Sequence, residues 1–251
     1  MKVVFRFVND PGFGDTVRGL ITVLQIQKTL KFDLEVDFSH HIFANYFIHD
    51  SKEDFKQCNF FTYNTKSNLN DINMLTEFLR NETNIIISTN IRPMEEIDED
   101  TKTFLKKVLE LKPEVKEYLE KKISMLPENY HLFHYRLGDD VLINKEEVNT
   151  DVYFKNFEKN AKENAVVISD SLVFKQRVYD FYQNKDVFVF LNTPNHTNSN
   201  EENIDTLVDF FLVANAKSIN CYSNYGWISN FVFWCSTIYD IPLFNIKQVV
   251  I

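Results

Sequence analysis

Glycine is scarce in this 251-residue sequence: there are five, at positions 12, 14, 19, 138 and 226, and none is used in an ordinary polar surface turn. Arginine is scarce too, with six of the 27 basic residues. Cys58, Cys221 and Cys235 are the only cysteines, scattered and outside any Cys-x-x-Cys or Cys/His cluster, which excludes a disulfide framework or a structural zinc site. No apolar run approaches the roughly 20 residues that a membrane-spanning helix needs; the longest runs resemble Val187 to Leu191. The opening MKVVFRFVND lacks a long apolar stretch with a small-residue cleavage site, so it reads as a first strand and not as a signal peptide. Basic charge is not in excess either: the formal net charge is -9, which argues against non-specific nucleic-acid binding. These absences lead us to expect a soluble, cytoplasmic protein with reduced thiols, no nucleic-acid partner and no transmembrane segment.

What is present is ample core material, 44% hydrophobic residues, in a regular pattern. Val3 to Val8 is β-branched and aromatic and ends at Asn-Asp-Pro-Gly, a strand followed by a turn. Apolar residues Val17, Leu20, Ile21, Leu24 and Leu30 then recur near helical spacing. LEVDF (34–38) and NIIIST (84–89) read as further strands, with a helix over 72–80; the stretch between 38 and 72 is polar, aromatic and unassigned. Between 99 and 125 a Lys/Glu-rich pattern broken at Pro113 suits a solvated helix pair, and we place a domain boundary there, giving domains 1–112 and 113–251. The second half alternates cleanly. Strands HLFHYRL, AVVISD, DVFVFLN, KSINCYS and PLFNI are separated by helices over 151–162, 172–182, 203–214 and 227–238. Strand–helix alternation implies parallel sheets, so the expected fold is α/β, two Rossmann-like halves facing a cleft.

The glycines serve as pointers, because ligands in open parallel sheets bind beyond the carboxyl ends of strands and four of the five lie just past a predicted strand end. The densest case is HYRLGDDV, 134–141. Alternation along the strand sends Phe133 and Tyr135 to one face and His134 and Arg136 to the other, and Gly138, Asp139 and Asp140 turn the chain away. An arginine at a strand end can form paired hydrogen bonds with phosphate oxygens. It can equally pair with Asp139 or Asp140, and the histidine can simply cap a backbone carbonyl.

HYRLGD matches the H-x-R-x-G-D motif of the α1,2-, α1,6- and protein O-fucosyltransferase superfamily, and three further segments resemble that superfamily in the same order. GFGDTVRGLITVLQIQKTL (12–30) is similar to its opening G-x-G-N-x-x-R-G-L segment. VVISDS (166–171) is similar to its second nucleotide-proximal strand end, with a Lys-containing helix after it, and 205–234 is similar to its closing segment. The resemblance implies a GT-B fold and inverting transfer from GDP-fucose, or a related nucleotide sugar, to a glycan or other hydroxyl acceptor, with no cofactor and no required metal. It further implies Arg136 on the diphosphate with His134 and Gly138 beside it, Asp170 and Ser171 near the nucleoside, and Ser223, Tyr225 and Gly226 near the phosphates. Gly12, Gly14 and Arg18 would face the cleft from the first half.

Asp15 stands where the superfamily commonly has asparagine. A carboxylate opening a helix is a usual N-cap; alternatively Asp15 faces the acceptor as a general base. Leu137 replaces the second basic residue that many members carry after the motif arginine, as in the protein O-fucosyltransferase branch, so glycosyl transfer is better supported than the identity of the donor. Metal independence also agrees with the absence of an Asp-x-Asp pair at a strand end. Two rivals stand beside this reading. A nicotinamide-dependent oxidoreductase would use Gly12-x-Gly14 with Asp37 as the ribose-binding acid, but Val17 occupies the third glycine position and no hydride-transfer site is apparent. A non-catalytic carbohydrate- or nucleotide-sugar-binding module would account for the 15% aromatic content, although most of those residues fit core positions.

Overall fold

A computed structural model describes residues 1–48, 56–61, 69–142, 148–161, 163–183, 186–192 and 204–247. The stretch between 38 and 72 that the sequence leaves unassigned therefore lies partly outside the described residues. Within the described residues the chain divides into two compact units at Lys112/Pro113.

In the first unit, β1 (Lys2–Arg6), α1 (Phe13–Leu30), β2 (Asp33–Asp37), β3 (Lys56–Phe60), α2 (Leu69–Asn81), β4 (Ile85–Thr89) and α3 (Glu99–Val108) build a parallel sheet of order β2-β1-β4-β3. β1 and β4 are apolar and almost wholly buried, as central strands of a two-sided sheet must be. The strand over 56–60, KQCNF, is polar and mostly exposed because it is an edge strand, which is why alternation did not announce it. α1 lies so close to β4 that a Cβ on Gly19 would come within 1.7 Å of the Thr89 carbonyl oxygen. Gly19, taken from the sequence as a ligand pointer, is thus a packing residue. The phenylalanines have a structural use: Phe7 stacks on Phe38 at 4.2 Å, Phe38 on Phe47 at 4.5 Å, and Phe13 meets Phe43 edge-on at 5.4 Å. These rings are buried, so they form core and no open sugar platform.

In the second unit, α4 (Pro113–Ile123), β5 (His131–Arg136), α5 (Asp139–Leu142), α6 (Asp151–Asn160), β6 (Ala165–Ser169), α7 (Leu172–Phe181), β7 (Val187–Val189), α8 (Ile204–Ala214), β8 (Ser218–Ser223), α9 (Asn230–Tyr239) and β9 (Leu243–Asn245) form a parallel sheet of order β7-β6-β5-β8-β9. The expected alternation of faces on β5 holds. Phe133 and Tyr135 enter a cluster with Phe157 of α6 and Phe174 and Val178 of α7, and the Tyr135 hydroxyl donates to Asn156 Oδ1 at 2.8 Å. α8 packs on α9, and the Cys235 thiol donates to the Phe210 carbonyl. Two boundaries are corrected. α9 begins at Asn230, not Trp227, and β7 is three residues long where DVFVFLN suggested seven. Among the described residues no helix is long and apolar enough to cross a membrane.

The second sheet has a point where the winding reverses: the chain steps outward from β5 to β6 and β7 on one side, and from β8 to β9 on the other. In open α/β sheets the crevice outside the carboxyl strand ends at such a point is where ligands sit. Arg136 ends β5 and Ser223 ends β8, so the sequence places its densest polar stretch at that point.

Candidate functional site

The backbone after β5 turns at Gly138, whose φ of +140° lies in a region that side-chain-bearing residues avoid. That reversal brings Asp139 back onto the strand's last residue, where its carboxylate accepts from Arg136 Nη2. Arg136 Nη1 donates to Asp170 Oδ2 at 2.6 Å. Asp170 also accepts the Leu137 amide on Oδ1 at 2.8 Å and the Gly138 amide on Oδ2 at 3.0 Å. One nearly buried carboxylate (5% exposed, against 54% for Asp139) therefore fixes the turn and one arm of the guanidinium together. The strand ends on either side complete the frame. Ser169 Oγ donates to the Tyr135 carbonyl at 2.8 Å and accepts the Ser171 amide, and Ser171 Oγ caps α7 by accepting the Phe174 amide at 3.1 Å. From β8, the Asn224 amide donates to the Arg136 carbonyl at 2.8 Å, Ser223 Oγ accepts the Tyr225 amide, and Tyr225 Oη accepts the Asp139 amide at 2.9 Å.

The structure thus brings Arg136, Gly138, Asp139, Asp170, Ser171, Ser223 and Tyr225 into one network. The oxygens of Asp170, Ser171 and Ser223 are engaged in building loops, so these three act on the site's shape. Gly226 is different again: nothing lies within 4 Å of where its Cβ would stand, and its φ is not positive. The helix expected to start beside it starts instead at Asn230, with Ser229 in the cap position and no side-chain cap bond. Asp139 and Asp140 open the short helix α5 and are not an extended pair.

His134 is buried, 6% exposed, beside Cys221 Sγ and the Phe231 ring. Burial, helped by the Arg136 charge, pushes its pKa down to about 3, so it is a neutral imidazole in the core beneath the site. A second buried group was not singled out in the sequence. Lys175 of α7 is wholly buried and donates to Asn192 Oδ1 and to the Asn192 carbonyl, and Asn192 Nδ2 donates to Asp209 Oδ1 of α8 at 3.2 Å. Burial pushes Asp209 up to about 6 and pulls Lys175 down, with Asp209, Asp205 and Asp170 opposing the fall. The signal was available: Lys175 stands three residues before Val178 and next to Phe174, on the inward stripe of its helix.

In the first unit, Gly12 takes the N-cap position of α1, its carbonyl accepting the Asp15 and Thr16 amides. Asp15 is consequently not the cap; it stands in the first turn, 3.0 Å from Arg18 Nη2. Arg18 is 4% exposed and also donates Nε to the Asn90 carbonyl at 2.7 Å. Desolvation by burial lowers its pKa, with the Asp15 charge opposing. Gly14 is buried within α1. Asp37, the acid a dinucleotide-binding reading would need, is fully buried, accepting from Arg6 Nε at 2.7 Å and from the Ser39 amide at 2.8 Å. Its hydrogen bonds hold the protein's own chain. Among the described residues no group of three or more His, Cys, Asp or Glu is placed to hold a metal ion.

No family model matches the sequence, and no curated protein sequence matches it. Solved structures do match. The NodZ α-1,6-fucosyltransferase soaked with GDP-fucose superposes with a TM-score of 0.57 at 14% identity, over 94% of this chain and 92% of that one. The Arabidopsis thaliana FUT1 mutant in complex with GDP gives 0.57 at 10% identity, over 96% of this chain and 69% of that one. POFUT1 in complex with GDP-fucose gives 0.55 at 10% identity, over 98% of both chains. The chain has the fold of these fucosyltransferases. At such identities the likeness is one of architecture, a two-unit α/β plan shared along nearly the whole chain.

Proposed function

We propose that this protein is a glycosyltransferase which moves a sugar, fucose in our reading, from a GDP-linked donor to a hydroxyl acceptor with inversion. The observation that carries the proposal is the position of Arg136. The arginine of the HYRLGD segment ends the central strand at the winding reversal of the second sheet, in a chain with a fucosyltransferase fold. In the transfer the C1–O bond to the β-phosphate breaks, the acceptor oxygen bonds C1 from the opposite face, and the acceptor proton passes to a base. Negative charge grows on the departing diphosphate, and a fixed guanidinium stabilises that charge because its orientation is already set. In this reading the buried Asp170 is a positioning residue and Asp139, half-exposed on the other arm of Arg136, yields its place to a phosphate oxygen. Asp15 is our candidate for the base, and the reaction needs no metal.

A second reading has two observations in its favour: Arg136 already carries two carboxylates, and Asp15 is paired with Arg18, which would suit a nucleotide-sugar-binding module without turnover. Isothermal calorimetry with GDP, GDP-fucose, UDP-glucose and NAD, followed by assay of GDP release with hydroxyl acceptors, separates the cases. Tight GDP binding with GDP release supports the transferase, and binding without release supports the module. Binding of NAD alone would overturn both.

A further inference from the structure

Trp227 is a large aromatic residue that the core does not absorb: it is 49% exposed, on the turn that follows β8. It is nonetheless held firmly. Its ring stacks on that of Tyr225, centroids 5.1 Å apart and planes 12° from parallel. The Tyr225 hydroxyl accepts the Asp139 amide at 2.9 Å, and the neighbouring Asn224 amide donates to the Arg136 carbonyl at 2.8 Å. Both links run through the backbone, so they fix one indole face relative to the cation at the strand end even when a phosphate oxygen displaces the Asp139 carboxylate from Arg136. The residue between the two rings is Gly226, and nothing lies within 4 Å of the place its side chain would occupy. The other tryptophan, Trp234, is 5% exposed and packs edge-on against Phe233.

We propose that the exposed face of Trp227 is a stacking platform for the purine base of the nucleotide whose diphosphate Arg136 binds; this rests on the nucleotide-donor reading above. A rigid pair of stacked rings presents a flat apolar surface at little entropic cost, since tyrosine and tryptophan have two side-chain torsions each and these are already fixed. A base laid on such a surface gains stacking that does not depend on which purine it is, because every base has a π-face. The platform therefore supplies affinity and leaves discrimination between guanine and adenine to other groups.

The test uses intrinsic fluorescence and calorimetry on the full chain with three probes: GDP, GDP-fucose and inorganic pyrophosphate. GDP should quench the emission of the wild type, and Trp227→Phe, which leaves Trp234 as the only tryptophan, should lose that response while keeping most of the affinity. Trp227→Ala should weaken GDP about tenfold and leave pyrophosphate within about twofold of the wild type, because the cation is untouched. GDP affinity in Trp227→Ala within about twofold of the parent overturns the platform while leaving the donor reading intact. Weakened GDP-fucose with unchanged GDP also overturns it, by assigning the indole to the sugar. If the wild type binds no GDP in the calorimeter, the donor reading falls and this proposal falls with it.

Discussion

Asp170→Asn is the substitution that most directly probes how the site is built. It changes one atom, keeps the volume and removes a charge. In the native turn the two carboxylate oxygens accept from the Leu137 amide, the Gly138 amide and Arg136 Nη1, and all three are donors. Asparagine offers one oxygen and one NH₂ group, so whichever way the amide is turned it sets a donor against a donor. If its oxygen faces Gly138 and Arg136, the Leu137 amide is left unpaired; if it faces Leu137, both of the others are. Leu137 is 2% exposed, so water does not replace the lost bond. A buried unpaired donor costs about 1–3 kcal/mol, and exchanging charge-assisted bonds for neutral ones adds about 1 kcal/mol, giving roughly 2–4 kcal/mol. For a chain of this size that corresponds to a fall in Tm of about 5–15 °C. Differential scanning fluorimetry of Asp170→Asn beside Asp139→Asn measures it, the second being an exposed carboxylate whose loss should shift Tm by less than about 2 °C. A Tm for Asp170→Asn equal to that of the wild type would refute the claim that Asp170 holds the turn.

Four further outcomes follow from the same geometry. Arg136→Lys keeps the charge but loses the planar fork, and GDP affinity by calorimetry should fall at least tenfold; near-normal binding removes Arg136 from the diphosphate. Gly19→Ala drives a methyl group into the Thr89 carbonyl and should cost about 3 kcal/mol or more in urea denaturation, with soluble parent-like stability as the contrary result. Asp15→Asn should lower turnover about 100-fold with donor affinity unchanged, and transfer at the parent rate would exclude Asp15 as the base. Between pH 7 and 5 the protein should lose stability. His41 and His134, both held down to about 3 by burial, stay neutral in the folded state while the unfolded chain takes up protons below about 6.5, and Asp209, raised to about 6, partly opposes this; the net loss is about 2–3 kcal/mol, read as a lower urea midpoint at pH 5.

The fold was legible where burial is two-sided and local. β1, β4, β5, β6 and β8 are apolar runs bounded by turn residues, and the helices between the later strands carry a clear inward stripe. β3 was not legible, because an edge strand such as KQCNF answers to its neighbour's backbone and needs no apolar alternation of its own. The start of α1 was misjudged for a different reason. Asp15 is a good capping residue by type, but the helix begins two residues earlier at Phe13, and the cap position falls to Gly12, which offers no side chain. The Gly12 carbonyl accepts the Asp15 and Thr16 amides there, so the first turn closes without a side-chain cap.

The candidate site divides along the same line between local and distant causes. Arg136 and Asp139 are three residues apart, and the glycine between them is the one whose φ of +140° folds the carboxylate back onto the guanidinium, so this half of the network is encoded within HYRLGD itself. The other half comes from 34 residues away in Asp170 and 89 residues away in Tyr225, and no spacing rule connects them; only the parallel pairing of β6 and β8 with β5 puts those strand ends side by side. The two carboxylates on Arg136 are therefore unequal in origin and in consequence. Asp170 is nearly buried and anchors two amides, so a ligand that removed it would undo the turn. Asp139 lies outside that anchor and half in solvent, and in the function we propose a diphosphate takes its place while the frame that aims Arg136 stays intact.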